Sequence, residues 1–81
     1  MNILFICLAS RTDATGRNSI YCRITIDGER YQFVTNLSVS HKNWHQQKQI
    51  VKTQEGNHNQ INIALSELRN KITKIWIENE G

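Results

Sequence analysis

Apolar and polar positions alternate through Ser19-Ile-Tyr-Cys-Arg-Ile-Thr-Ile-Asp-Gly-Glu-Arg-Tyr-Gln-Phe-Val-Thr35, with one interruption at Asp27-Gly28. That dipeptide supplies the positive φ angles a two-residue type I′ turn demands, so the segment reads as an antiparallel hairpin. A two-residue loop sets Ile26 against Glu29, Thr25 against Arg30, Ile24 against Tyr31, Arg23 against Gln32 and Cys22 against Phe33. Successive strand residues point to opposite faces. Ile20, Cys22, Ile24, Tyr31 and Phe33 therefore share an apolar face, and Tyr21, Arg23, Thr25, Arg30, Gln32 and Val34 share the other.

Upstream, residues 2–10 are apolar and suit a strand. The turn-like run at 11–18, where Gly16 can take an unusual backbone angle, folds that strand back onto the hairpin. Pairing Ser10 near Ser19 adds Ile3, Phe5 and Cys7 to the apolar face and leaves Leu4, Ile6 and Leu8 on the other. Residues 40–56 read as a loop with short extended pieces, one of them near 50–53. Leu37, Val39, Trp44 and Val51 are its anchors, and Trp44 is read as packing rather than as a base-stacking platform. From about residue 57 the period changes: Ile61, Leu65, Leu68, Ile72 and Ile75 recur at spacings of four, three, four and three. Those spacings paint one stripe on a helix over about 57–78, capped by Asn57 or Asn59. The expected fold is α+β, a single domain over 1–81. It has a three-stranded antiparallel β-sheet (about 2–39) packed on one C-terminal α-helix, because a lone hairpin is not stable in water.

Charge sharpens this picture by its distribution more than its total. The net charge is +3, from ten Lys and Arg against seven Asp and Glu. Through residue 52 there are seven basic and three acidic residues; beyond it, three basic and four acidic. The positive charge thus belongs to the sheet and loop. The apolar stretch at the start is too short for a bilayer and lacks a basic leader, so no membrane partner and a cytoplasmic location are expected. Cys7 and Cys22 are read as buried free thiols, with one disulfide between them as the alternative.

Catalytic and metal chemistry find no footing in the sequence. His41 and His45 have i, i+4 spacing but no carboxylate or cysteine beside them, and the two cysteines lie too far apart for a zinc finger. No nucleophile, base and orienting acid assemble, and no glycine loop cradles a phosphate. No metal, cofactor or enzymatic activity is expected of these residues. The outward sheet face suits duplex DNA better, since a small antiparallel sheet can enter the major groove with alternate side chains toward base edges. Arg23 and Arg30 offer planar donor forks, Gln32 suits adenine, and Tyr21 and Thr25 suit phosphate or thymine. Arg11 and Arg17 in the first turn, with Lys42, Lys48 and Lys52 in the later loop, complete the basic set. A merely solvated sheet face is the plain alternative. A protein-interaction module using the sheet edge or the Leu4, Ile6, Leu8 row is another, and an RNA-binding platform a third.

The ordered set Gly16, Ile20, Tyr21, Arg23, Ile24, Thr25, Gly28, Arg30, Phe33, Thr35, Trp44, Val51, Lys52, Ile61, Asn62, Leu65, Leu68 and Ile72 resembles a known pattern. The pattern is that of the N-terminal arm DNA-binding domains of tyrosine recombinases from phages and conjugative transposons. The resemblance spans about residues 5–75. It implies a three-stranded sheet with a C-terminal helix that grips arm-type sites flanking a crossover point. It also implies that core-binding and catalytic domains follow in a longer protein and that other recombinase protomers are partners. The recombinase's Arg, Lys, His and Tyr catalytic set does not lie here, and neither Tyr21 nor Tyr31 matches its nucleophile. Val34 and Asn36 stand where the family has small Ser and Gly, and Leu8 where many relatives carry a basic residue.

Overall fold

The computed structural model describes residues 1–80, with the backbone alone for Arg11, Asn79 and Glu80. Strands β1 (Asn2–Thr12), β2 (Asn18–Ile26) and β3 (Glu29–Val39) form an antiparallel sheet in the order β1-β2-β3. A 3-10 turn at His41–Asn43 leads into a two-stranded ribbon of β4 (Trp44–His45) and β5 (Ile50–Val51), and helix α1 (His58–Glu80) closes the chain. The architecture is the expected α+β sheet and helix. No helix among the described residues is long and apolar enough to cross a membrane.

The β2–β3 hairpin has the pairing its turn dictates, from Ile26 against Glu29 to Cys22 against Phe33. Asp27 and Gly28 both take positive φ, 49° and 83°, the signature of a type I′ turn. Beyond Val34 the register slips, because β3 carries extra residues opposite Ile20. At that bulge the Thr35 hydroxyl donates to the Ile20 carbonyl (2.7 Å), and the Leu37 amide donates to the same hydroxyl (3.2 Å). Asn36 sits between them at φ 66°, in the left-handed conformation that a glycine takes without strain and Asn tolerates better than most residues.

Strand β1 pairs two residues away from the expected register: Cys7, not Ala9, faces Ile20. A five-residue turn does not fix register as a two-residue turn does. A shift of two preserves parity, so Ile3, Phe5 and Cys7 still join the apolar face. The irregularity between Cys7 and Thr12 is filled by buried Asn18, whose Nδ2 donates to the carbonyls of Leu8 (2.9 Å) and Ala9 (3.3 Å) and to the Thr12 hydroxyl (2.9 Å).

The core joins Ile3, Phe5, Cys7, Ile20, Cys22 and Val39 of the sheet to Trp44, Val51, Ile61 and Leu65. Both cysteines are free, and burial pushes their thiols above the ordinary value. Helix α1 runs alongside β1 in the opposite direction. Residues 62–69 lie by Phe5, and Arg69, Thr73, Trp76 and Ile77 lie by Met1, Asn2 and Ile3. Arg69 stacks its guanidinium 5.0 Å from the Phe5 ring centroid and donates to the Ile3 carbonyl. The helical stripe is buried at Ile61 and Leu65, partly buried at Leu68 and Ile72, and exposed at Ile75. The hairpin tip corrects the expectation of a fully covered apolar face. Tyr31 and Phe33 lie on that face opposite Ile24 and Cys22 but remain 52% and 40% exposed, because the helix tracks β1 and leaves the hairpin end of β3 uncovered, while Val39 at its far end is buried.

The ribbon finishes the β1 edge of the sheet. Gln46 and Gln49 reach the free edge of β1, where both donate to the Phe5 carbonyl and the Gln49 Oε1 accepts from the Phe5 amide. Such capping removes the unpaired backbone groups that would otherwise recruit another strand. On the helix, Asn62 grips β5 with both ends of its amide: Oδ1 accepts from the Val51 amide and Nδ2 donates to the Val51 carbonyl. Asn57 precedes α1 and its carbonyl accepts the Ile61 amide (3.1 Å).

Candidate nucleic-acid interface

The sheet face turned away from α1 is organised in rows that cross all three strands. The registers align Asn2 with Thr25 and Arg30, Leu4 with Arg23 and Gln32, and Ile6 with Tyr21 and Val34. Neighbouring strands lie about 4.8 Å apart, so a three-stranded row is roughly 10 Å wide. A B-DNA major groove is about 12 Å wide, which admits such a sheet face-on.

Five residues expected at the site, Tyr21, Arg23, Thr25, Arg30 and Gln32, therefore converge on one surface. Arg23 donates from Nε to the Gln32 Oε1 across the strands (3.3 Å), which leaves its terminal nitrogens unengaged among the described residues. Arg30 is exposed beside Thr25, with no ion pair among the described residues. The carboxylates lie elsewhere. Glu29 projects on the helix side, where it accepts the Tyr31 hydroxyl at 2.7 Å and raises the phenol above its usual range. Asp13 is tied into the β1–β2 turn by Thr15 and the Arg17 amide, which hold its carboxyl below the usual value. The three rows themselves carry two arginines and no carboxylate, the sign of potential that phosphate requires, with Asp27 just beyond them in the hairpin turn.

Arg17 is placed differently. Its Nη1 pairs with Glu55 (2.7 Å), Nη2 donates to the Ser38 carbonyl (2.6 Å) and Nε to the Ser38 hydroxyl (3.2 Å). Glu55 is 6% exposed and also accepts from Asn43 Nδ2 at 2.7 Å. The Asn43 hydrogen bond first, and Arg17 with it, hold the Glu55 carboxyl below its ordinary value against the opposing effect of burial. Arg17 thus staples the start of β2 to the end of β3 and to the segment before α1, with its donors turned inward. The Arg11 side chain lies outside the described residues.

The loop lysines are not on the outer face as a group. Lys42 and Lys52 lie together, the Lys52 ammonium donating to the Lys42 carbonyl (3.1 Å). Lys48 lines a hollow on the helix side with Phe5, Gln49, Asn62, Leu65 and Arg69. Trp44 is buried, and its indole NH donates to Gln46, so it is a packing residue as expected. The ring nitrogens of His45 and His58 bond to nearby backbone. Among the described residues no cluster of three or more His, Cys, Asp or Glu could hold a metal ion.

Sequence reasoning missed the Arg17–Glu55–Asn43 network, the Asn62 clamp and the glutamine caps on Phe5. Each joins positions far apart in the chain, and local spacing carries no signal of such pairs. A family model described as an arm DNA-binding domain matches residues 5–81. No curated protein and no solved structure matches the chain. The chain belongs to the arm DNA-binding domain family, the non-catalytic DNA-binding domain found at the N-terminus of tyrosine recombinases and integrases.

Proposed function

We propose that this domain lays its outer sheet face in the major groove of duplex DNA at arm-type sites, and so positions a tyrosine recombinase for site-specific integration and excision. The observation that carries the reading is the alignment of Thr25 with Arg30 and of Arg23 with Gln32 on the sheet face turned away from the helix, in rows that contain no acidic residue. Arg23 and Arg30 contact guanine or phosphate, Gln32 contacts adenine, and Tyr21 and Thr25 contact backbone or thymine. Lys42 and Lys52 hold phosphates beside the sheet. Strand cleavage belongs to a catalytic domain elsewhere in a longer protein, and other recombinase protomers share the assembled sites.

A protein-interaction role through the β1 edge is opposed by Gln46, Gln49 and Arg69, which occupy the Phe5 and Ile3 backbone groups there. The test is duplex binding measured across a salt series. Affinity for duplex should fall steeply as salt rises, because neutralised phosphates release counterions. Arg23→Ala with Arg30→Ala should weaken binding by about 30-fold or more with the fold intact, at roughly 1–3 kcal/mol for each good bidentate contact. Undiminished binding by the double variant would refute the proposed face.

A further inference from the structure

The outer face is not uniformly polar. Ile6, Tyr21 and Val34 form one row, Leu4 begins the next beside Arg23 and Gln32, and Leu8 lies further along β1 on the same side. Val34 is 43% exposed, and Leu4, Ile6, Leu8 and Tyr21 are half-buried. The core residues that α1 packs against, Ile3, Phe5, Cys7, Ile20 and Cys22, all alternate to the other side. An apolar cluster thus sits immediately beside the two side chains best suited to read purines.

We infer that Leu4, Ile6 and Val34 make this domain a reader of thymine methyl groups, so that the pair contacted by Arg23 and Gln32 must be flanked by A·T pairs. The inference rests on the proposed docking of this face in the major groove. Thymine's C5 methyl is the one apolar group that base pairs display there. Polar base edges pressed against Leu4, Ile6 and Val34 would lose water without gaining a partner, which disfavours the complex. A methyl at the same place is buried favourably instead. Charge confines the occupant further: Arg23 adjoins the apolar row and Arg30 lies one row beyond, with no acidic residue in any of the three rows, which suits a polyanion better than the apolar surface of a second protein. Same-face residues along a strand are about 6.6 Å apart, close to two base-pair rises of 3.4 Å, so the thymines sought lie within about two steps of the pair that Arg23 and Gln32 contact.

The test begins with a preferred duplex selected from a randomised pool by the full chain. Each thymine is then replaced in turn by deoxyuridine, which deletes the methyl and keeps the pairing. At one or two positions within two steps of the Arg23–Gln32 contact, uracil should weaken binding about three- to tenfold, the scale of one buried methyl or methylene. The same positions should show less than about a twofold uracil penalty in Ile6→Ala or Val34→Ala, because each change removes the same contact. The uracil scan on the unaltered chain decides the matter even if a variant fails to fold. A scan with no effect at any position, on a duplex still bound in a salt-dependent way, overturns the methyl-reading inference and leaves duplex binding standing. Dimerisation through Ile6 with no duplex bound at low salt overturns both.

Discussion

The two faces of one three-stranded sheet differ in what completes them. On the helix side, Phe5, Ile20 and Cys22 are sealed by Ile61 and Leu65, and the polar groups at the margin find partners within the chain. On the outer side, alternate residues of the same strands carry arginines, glutamine and partly exposed aliphatic side chains outside the core. Arg17 and Arg23 make the contrast concrete. Both begin on β2 or its approach, but Arg17 turns inward to Glu55 and Ser38, whereas Arg23 lies on the open face beside Gln32. One residue type therefore serves the fold's own network in one place and stays on the open face in the other; what differs is whether the fold has placed a carboxylate opposite.

Breaking the sealed face should cost the most. Phe5→Ala removes a fully buried ring and the surface on which Arg69 stacks, and should destabilise by about 3–5 kcal/mol, read as a large fall in denaturant midpoint. Glu55→Ala leaves Arg17 and Asn43 without their shared acceptor and should cost about 3 kcal/mol, as for a broken buried pair. The same contact predicts a pH dependence. Because the folded Glu55 pKa lies below the ordinary 4.5, its contribution is fully present above that value and is lost as pH falls through the lowered folded pKa. Acid unfolding midpoints of the unaltered chain and of Glu55→Gln, compared by circular dichroism, should show the variant losing less stability across that window.

Arg23→Ala and Arg30→Ala should reverse the pattern, changing thermal stability by no more than about 0.5 kcal/mol while duplex affinity drops. A matched loss of both would place these side chains in the structural set with Arg17. The smallest effect belongs to the bulge. Asn36→Ala should cost about 1 kcal/mol and Asn36→Gly almost nothing, since only the backbone angle at φ 66° is at stake.

Much of the candidate face could be read in the sequence because Asp27-Gly28 fixes a register, and register fixes which side chains share a face. Tyr21, Arg23, Thr25, Arg30 and Gln32 fell together for that reason alone. The first strand was less legible: a longer turn left its register two residues adrift, although conserved parity kept Leu4 and Ile6 on the outer side. The bulge at Thr35 and Asn36 depends on a hydroxyl meeting the Ile20 carbonyl, which alternation cannot show. The inward turn of Arg17 was hidden because Glu55 lies far along the chain, and the exposure of Tyr31 and Phe33 because periodicity says nothing about where a helix axis crosses a sheet.

The outer face as the duplex-binding surface is tested most directly by following side-chain NMR signals during titration with duplex DNA. The account predicts that the Arg23 and Arg30 guanidinium signals, the Gln32 amide and the Leu4, Ile6 and Val34 methyls move most, while the buried methyls of Ile20, Ile61 and Leu65 stay put. Shifts concentrated on α1 and the hollow around Lys48 and Arg69, with the β2 and β3 side chains unmoved, would contradict it.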